Sequence, residues 1–294
     1  MKIAIYSRPR NGEEKGLIEK VVNYLSLQGC DLLLHQNRIT DGMEKSIPSY
    51  VSYEDLAQHK DINFLFSIGG DGTFIDAANL VGNLAIPIVG INTGRIGFLA
   101  GINQSNFEAS FELLKSGAYT IEERSLLHLE CNKEIALGRH FALNDITVRT
   151  SDENSINAIT VWINKAKVNT YWADGLIIAT PTGSTAYSLS CGGPIIVPST
   201  QVNVLTPIAS HTLGVRPIVI PAEVEIKIVV ESRHHNFSLA LDSQRVVIEN
   251  PVELSITKEK FSIKTLLFHS TDFYSIIREK LLWGIDKRNE NKNR

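Results

Sequence analysis

The sequence predicts an α/β amino-terminal domain with a parallel, Rossmann-like sheet, followed by a β-rich carboxy-terminal domain. Three observations carry that expectation. Through the first hundred residues, short apolar runs alternate with stretches of helical period, the order that lays helices on both faces of a parallel sheet. From about Leu126 the runs become short, alternating and β-branched, with turn residues between them, which is the pattern of antiparallel strands. Near the carboxy terminus a helical period returns.

In chain order, Lys2–Ser7 reads as a first strand and Asp31–His35 as a second. Between them Glu13–Leu27 carries Leu17, Ile18, Val21, Val22, Leu25 and Leu27 close to helical spacing. Asn63–Ile68 reads as a buried strand that runs directly into glycines, Thr73–Leu80 as a helix, and Ile86–Ile91 as an apolar strand broken only by Pro87. Ser105-Asn106-Phe107-Glu108 has the spacing of a capping box, and Phe107, Phe111 and Leu114 give that helix an apolar stripe. In the second half the expected strands are Ala158–Ile163, Lys167–Tyr171, Leu176–Ala179, Val224–Val230, Phe237–Leu241 and Gln244–Ile248. Asn164, Asp174-Gly175, Pro221, Asp242 and Asn250-Pro251 mark the turns. Asp272–Lys287 places Phe273, Ile276, Ile277 and Leu281 on one helical face, and the polar tail Arg288–Arg294 reads as frayed.

Composition narrows the function classes. A chain of 294 residues with 43% apolar and 21% charged residues can bury a sizeable core. Its net charge of −3, with both signs mixed along the chain, argues against a nucleic-acid or anionic-membrane surface, which needs concentrated positive charge. Cys30, Cys131 and Cys191 are far apart and odd in number, so neither a disulfide framework nor a close-spaced metal pattern is expected. No stretch approaches the roughly 20 apolar residues of a membrane span. The expectation is a soluble, cytoplasmic protein.

The strongest local signal is Gly69-Gly70-Asp71-Gly72-Thr73, between the strand ending at Ile68 and the helix beginning near Thr73. Glycines let backbone approach a phosphate, and the free amides of the following helix favour an anion. A carboxylate in such a turn repels phosphate unless it has another task, such as accepting a proton from an attacking hydroxyl or helping to hold Mg²⁺. The plainer alternative is a tight turn with Asp71 capping the helix; it leaves Gly72 and the two preceding glycines unexplained. The turn is neither a Walker loop nor a Gly-x-Gly-x-x-Gly dinucleotide turn.

A second signal runs from Tyr171 to Pro194: the apolar strand Leu176–Ala179 leads into Thr180-Pro181-Thr182-Gly183-Ser184-Thr185-Ala186-Tyr187-Ser188-Leu189-Ser190. Small residues leave space, and hydroxyls with free amides offer hydrogen bonds to a polar ligand. A Ser/Thr cap on an ordinary helix accounts for one or two of these hydroxyls and not for the whole run.

This run and the glycine turn together closely resemble the NAD kinase family. Asn92-Thr93-Gly94-Arg95-Ile96-Gly97-Phe98-Leu99, Leu143-Asn144-Asp145-Ile146 and His211-Thr212-Leu213-Gly214-Val215-Arg216-Pro217-Ile218-Val219 agree, in the family's order. The glycine turn alone is shared with diacylglycerol-type lipid kinases. The resemblance implies an α/β domain of residues 1–100, joined by the last helix (270–294) packing back on it, and a β-rich NAD-binding domain of residues 101–269. It implies an enzyme that moves the terminal phosphoryl group of ATP, with Mg²⁺ or another divalent metal, onto the adenosine-ribose 2′-hydroxyl of NAD. Asp71 matches the proton acceptor, with Gly72 beside it. Asn144 and Asp145 match the pair that binds adenosine, and Asp174 lies near the nicotinamide end. Thr185, Ala186, Tyr187, Ser188 and Ser190 match the segment lining the dinucleotide pocket, and Gln244 matches a further substrate contact. A homodimer or homotetramer is implied too. Trp172 stands where bacterial relatives often have Arg, which bears on NAD against NADH preference, and Ser243 stands where glycine is common.

Other residues carry weaker signals. His234-His235 are adjacent in a polar turn, without metal-ligand spacing. His211 could line the pocket or make a structural contact. Arg95 and Arg216 could meet phosphate or pair with an acid. Two other functions remain open at this point: a lipid kinase, which would want a membrane-facing patch, and a non-catalytic dinucleotide sensor, which would have little use for Asp71.

Overall fold

The computed structural model describes residues 1–8, 13–35, 50–94, 97–151, 157–231, 236–249, 252–268 and 272–283. Arg95, His234-His235, Asn250-Pro251 and Arg288–Arg294 lie outside them.

The chain begins with β1 (Lys2–Ser7), α1 (Glu13–Leu27), β2 (Asp31–His35), β3 (Val51–Tyr53), β4 (Phe64–Ile68), α2 (Asp71–Val81), β5 (Ile88–Asn92), β6 (Ile102–Asn103), α3 (Phe107–Lys115) and β7 (Tyr119–Arg124). Next come β8 (Leu127–Cys131), β9 (Phe141–Ala142), β10 (Asp145–Thr150), β11 (Asn157–Ile163), β12 (Ala166–Ala173), β13 (Gly175–Ala179), the single turn α4 (Tyr187–Ser190), β14 (Val202–Ile208) and β15 (Ile218–Pro221). The remaining elements are β16 (Ile226–Glu231), β17 (Asn236–Leu241), β18 (Gln244–Glu249), β19 (Val252–Lys258), β20 (Ile263–Phe268) and α5 (Phe273–Leu281). Two compact units result, one of residues 1–122 with 264–294 and the other of residues 123–263. β6 and α3, which the sequence division puts in the second domain, belong to the first unit.

The first unit holds one eight-stranded sheet in the order β3-β2-β1-β4-β5-β20-β7, with β6 beside β5. The pairs β1–β2, β1–β4, β2–β3, β4–β5, β5–β6 and β5–β20 are parallel. β4 (Phe-Leu-Phe-Ser-Ile) is buried at all five positions, as expected of a parallel strand covered on both faces. Leu17, Val21, Val22 and Leu25 of α1 and Phe107, Phe111 and Leu114 of α3 pack into the same core as β1, β2 and β4. Leu266 and Phe268 of β20 join that core. α5 buries Ile276 and Ile277 and brings Lys280 Nζ 6.0 Å above the Phe98 ring, so the last helix does return to the first unit.

One local expectation fails. Ser105 does not cap α3; the Asn103 side chain instead accepts from the Ser105 amide at 3.2 Å, and the single 3₁₀ turn Gln104–Asn106 leads into the helix. Asn is as good an N-cap acceptor as Ser, and here it comes two residues earlier.

The second unit is a β-sandwich. One antiparallel sheet runs β15-β14-β13-β10-β17-β18, the other β12-β11-β16-β19-β8-β9. Ile146, Val148, Leu176, Ile178, Leu239 and Leu241 of the first meet Ile159, Val161, Tyr171, Ile228, Leu254 and Ile256 of the second in one continuous core, the face-to-face packing such alternating strands produce. The other face of β13 is covered as well: Ile177 and Ala179 pack with Ile196, Val204, Tyr187 and Cys191. That double burial explains why β13 is apolar at every position after Gly175.

Candidate active site

In the first unit the site is the turn after β4. Gly69 sits at φ +152°, and a Cβ there would come within 2.3 Å of Thr73 Oγ1, so only glycine fits. Gly70 is the N-cap of α2 and its carbonyl accepts from the Thr73 and Phe74 amides. Asp71 is therefore the first residue of α2, and its carboxylate does not cap that helix. Its two oxygens instead accept the Phe98 and Leu99 amides, each at 3.0 Å. A Cβ on Gly97 would lie 1.9 Å from Asp71 Oδ1, which accounts for a glycine there. The Phe98 and Leu99 amides thus orient the carboxylate, and each oxygen, with two acceptor positions, keeps one for another partner.

A cation stands beside this turn. Arg8, just past β1, donates from Nε to Asp76 Oδ2 at 2.6 Å and from a terminal nitrogen to Oδ1 at 3.1 Å. Asp76 also accepts the Tyr6 hydroxyl at 3.2 Å. This bidentate grip sets the other guanidinium nitrogen against Gly72, where a Cβ would approach it to 2.7 Å. Nothing in the sequence marks Arg8, because its role depends on β1 lying next to β4.

In the second unit the expected residues gather around the chain between β9 and β10. Asn144 is half-buried, and Asp145 begins β10. Asp145 is 6% exposed and accepts the Thr147 hydroxyl at 2.8 Å. Burial pushes its carboxyl from 3.8 up to about 7; the Thr147 bond opposes the shift and nearby Asp242 adds to it. The Thr180–Thr185 segment lies against Asn144: Thr180 N donates to Asn144 O at 2.9 Å, and a Cβ on Gly183 would fall 2.0 Å from that oxygen. Thr185 and Ala186 are half-buried, with Thr185 Oγ1 bonded to Thr182 O at 3.1 Å. The half-buried Tyr187 phenol is raised by burial and feels the charges of Arg149, Asp145 and Asp174, which places those four groups within electrostatic reach of one another.

The remaining expected residues differ in character. Ser188 has no exposed surface and shares a 2.8 Å hydrogen bond with Thr206 Oγ1. Ser190 is exposed at the end of α4. Ser184 Oγ donates to Pro181 O at 2.6 Å and accepts from Ile196 N at 3.0 Å, a structural role. Asp174 is half-buried before β13, and Gln244 is exposed at the start of β18. His211 is exposed, its amide bonded to Trp172 O, and Arg216 is turned onto the carbonyls of Leu213 and Val215. Trp172 is 53% exposed.

Arg149 and Asp242 are functional candidates that sequence reading passes over. Asp145, Thr147 and Arg149 alternate along β10 and so share one face; the period of two was a usable signal. Asp242 reads only as a turn residue. In the structure its side chain is fully buried and accepts the amides of Leu143, Asn144 and Asp145 at 3.0, 2.7 and 3.2 Å. Among the described residues no group of three or more His, Cys, Asp or Glu could hold a metal ion.

Comparison with known proteins agrees with both halves of this arrangement. Residues 5–119 match the ATP-NAD kinase N-terminal domain and residues 143–267 the ATP-NAD kinase C-terminal domain. The chain is 42% identical over 296 residues to the NAD kinase of Flavobacterium psychrophilum, covering 98% of this chain and 100% of that one. To the NAD kinase of Bacteroides fragilis it is 41% identical over 290 residues, with the same coverage. Among solved structures, yeast NADH kinase complexed with NADH superposes with a TM-score of 0.85 at 21% identity, over 97% of this chain and 88% of that one. An NAD kinase from Archaeoglobus fulgidus in complex with ATP gives 0.75 at 24% identity, over 97% and 100%. The two structures bear on the fold, and the full-length bacterial relatives and both domain matches bear on ancestry: the chain belongs to the NAD kinase family.

Proposed function

We propose that the chain transfers the terminal phosphoryl group of ATP to the 2′-hydroxyl of the adenosine ribose of NAD, giving NADP and ADP. The observation that carries this reading is the Asp71 carboxylate, held by the Phe98 and Leu99 amides inside a glycine turn with one acceptor position open on each oxygen. The ribose oxygen bonds to the terminal phosphorus as the bridge to the β-phosphate breaks and ADP leaves. Asp71 orients the hydroxyl and accepts its proton late, since in a loose phosphoryl-transfer transition state position and charge matter more than basicity. Gly72 leaves room beside it, and the Arg8 guanidinium nitrogen that Asp76 does not hold lies against that glycine.

Mg²⁺ or another divalent metal would come with ATP, Asp71 would help to hold it through an open acceptor position, and it would neutralise charge on the transferring group. Asn144 and Asp145 take the adenosine part of NAD, and Thr185, Ala186, Tyr187, Ser188 and Ser190 line the dinucleotide pocket. Asp174 stands toward the nicotinamide end, and Gln244 makes a further contact. Trp172, in place of an arginine, makes NADH worth testing beside NAD. Among the described residues no helix is long and apolar enough to cross a membrane, and Cys30, Cys131 and Cys191 are free thiols; both suit a cytoplasmic enzyme. Exposed Trp172, Leu213, Ile218 and Val219 support a homodimer or homotetramer.

The test is NADP formation from NAD, ATP and Mg²⁺ by the purified chain and by Asp71→Asn. The wild type is expected to form NADP. The variant should lose turnover by about 100-fold or more while still binding NAD. Near-normal turnover in the variant removes Asp71 from the centre of the reaction.

A further inference from the structure

The geometry points to Asp242 as a positioning residue for NAD: a group that never touches the substrate but fixes the backbone from which Asn144 and Asp145 reach it. This inference rests on the reading of that pair as the adenosine contact.

The segment in question crosses from one sheet of the sandwich to the other. β9 pairs with β8 in one sheet, and β10 pairs with β13 and β17 in the other. Leu143 and Asn144, in the crossing, belong to no strand, so their buried amides and carbonyls need partners from elsewhere. Asp242 and Thr180 provide them all. The Asp242 carboxylate accepts the amides of Leu143, Asn144 and Asp145, and the Asp242 amide donates to Asp145 O at 3.0 Å. Thr180 Oγ1 donates to Leu143 O at 2.6 Å, and Thr180 N donates to Asn144 O at 2.9 Å. No backbone donor or acceptor of residues 143–145 is left over.

Asp242 is itself locked. It sits at φ +50° in the β17–β18 turn, a conformation Asp and Asn tolerate best among residues with a side chain. There its carboxylate meets Arg139, whose guanidinium reaches Oδ2 at 3.2 Å and Leu241 O at 3.3 Å. The side chains of Arg139 and Asp242 are 6% and 0% exposed. Three amide bonds and an ion pair on one buried carboxylate are more than a surface hairpin turn needs. Their effect is to leave the Asn144 side chain, which makes no hydrogen bond among the described residues, as the polar group this crossing offers outward. A preset backbone lowers the ordering cost of binding.

Asp242→Asn tests this. Asn tolerates the left-handed backbone and keeps the volume, but its NH₂ cannot accept an amide hydrogen, so at least one of the three bonds is lost. Initial rates with NAD and ATP varied separately would be compared for the wild type, Asp242→Asn, Asn144→Ala and the double variant. Asp242→Asn is expected to raise the KM for NAD by about tenfold and to leave the KM for ATP within about twofold. The two effects should be less than multiplicative in the double variant, because Asp242→Asn acts in part through the Asn144 contact that the other change removes. An unchanged KM for NAD, equal rises for both substrates, or multiplying effects in the double variant would overturn the inference. If Asp242→Asn is insoluble, Thr180→Val loosens the same crossing from the other side, and a wild-type KM for NAD in that variant is equally fatal. A wild type that makes no NADP, in contrast, sinks the kinase reading itself.

Discussion

Asp145 shows how far burial can move a single residue from its composition-level meaning. Unfolded, its carboxyl releases a proton near pH 3.8; folded, it keeps it to about 7. Between those values the folded chain binds the extra proton, so stability falls as pH rises, by at most about 1.4 kcal/mol per pH unit. This contribution is fully present below the unfolded value and is lost as pH passes through the folded one. Melting temperatures from about pH 5 to pH 8 are expected to decline more steeply for the wild type than for Asp145→Asn; parallel curves would mean that the carboxyl is not raised. The residue itself was legible in Leu143-Asn144-Asp145-Ile146. Its burial was not, because that comes from β13 and β17 closing on β10, strands far apart in sequence. Asp242 and Arg8 were hidden for the same reason, since each works through a partner that only the topology supplies.

At the scale of elements, the join between β4 and α2 was read correctly as a strand–glycine–helix turn, but the helix starts two residues earlier than its apolar pattern suggested. Asp71 and Gly72 are helical because Gly70 caps α2 through its own carbonyl, an arrangement with no side-chain signature. The second glycine-containing segment, at Gly97, exists for the first: it lets the Phe98 and Leu99 amides close on Asp71. Gly97→Ala should therefore push the Asp71 carboxylate off those amides, since its Cβ would arrive at 1.9 Å, well inside contact distance. A fall in kcat of about tenfold or more is expected, with the melting temperature lowered modestly. A variant as active as wild type would show that the Asp71 orientation is not set by this segment. β4, β13 and α1 were read within a residue or two, but β10, β14, β19 and β20, of six or seven residues each, were not read as strands. The two-residue strands β6 and β9 were not, being too short to carry a period.

For the whole molecule, charge and topology matter most. A net charge of −3 offers no attractive long-range field to anionic substrates, so affinity must come from donors close to them. The ratio kcat/KM for NAD is therefore expected to change by less than about threefold between roughly 50 and 300 mM monovalent salt. A tenfold loss would reveal steering by a surface cluster. Topology has a different consequence, for the order in which the protein can be built. β20, parallel to β5 and meeting it at Thr265–Ile88, closes the first sheet, yet the ribosome makes it only after every strand of the sandwich. Until then the nascent amino-terminal unit presents the flank of β5 with its final cover missing, and Leu266 and Phe268 have not yet reached the core they share with Phe64 and Phe66. The first unit begun is thus the last completed. The glycine turn, its Phe98 and Leu99 donors and Arg8 are all made early, but the sheet that carries them receives its last strand only after the sandwich has been synthesised.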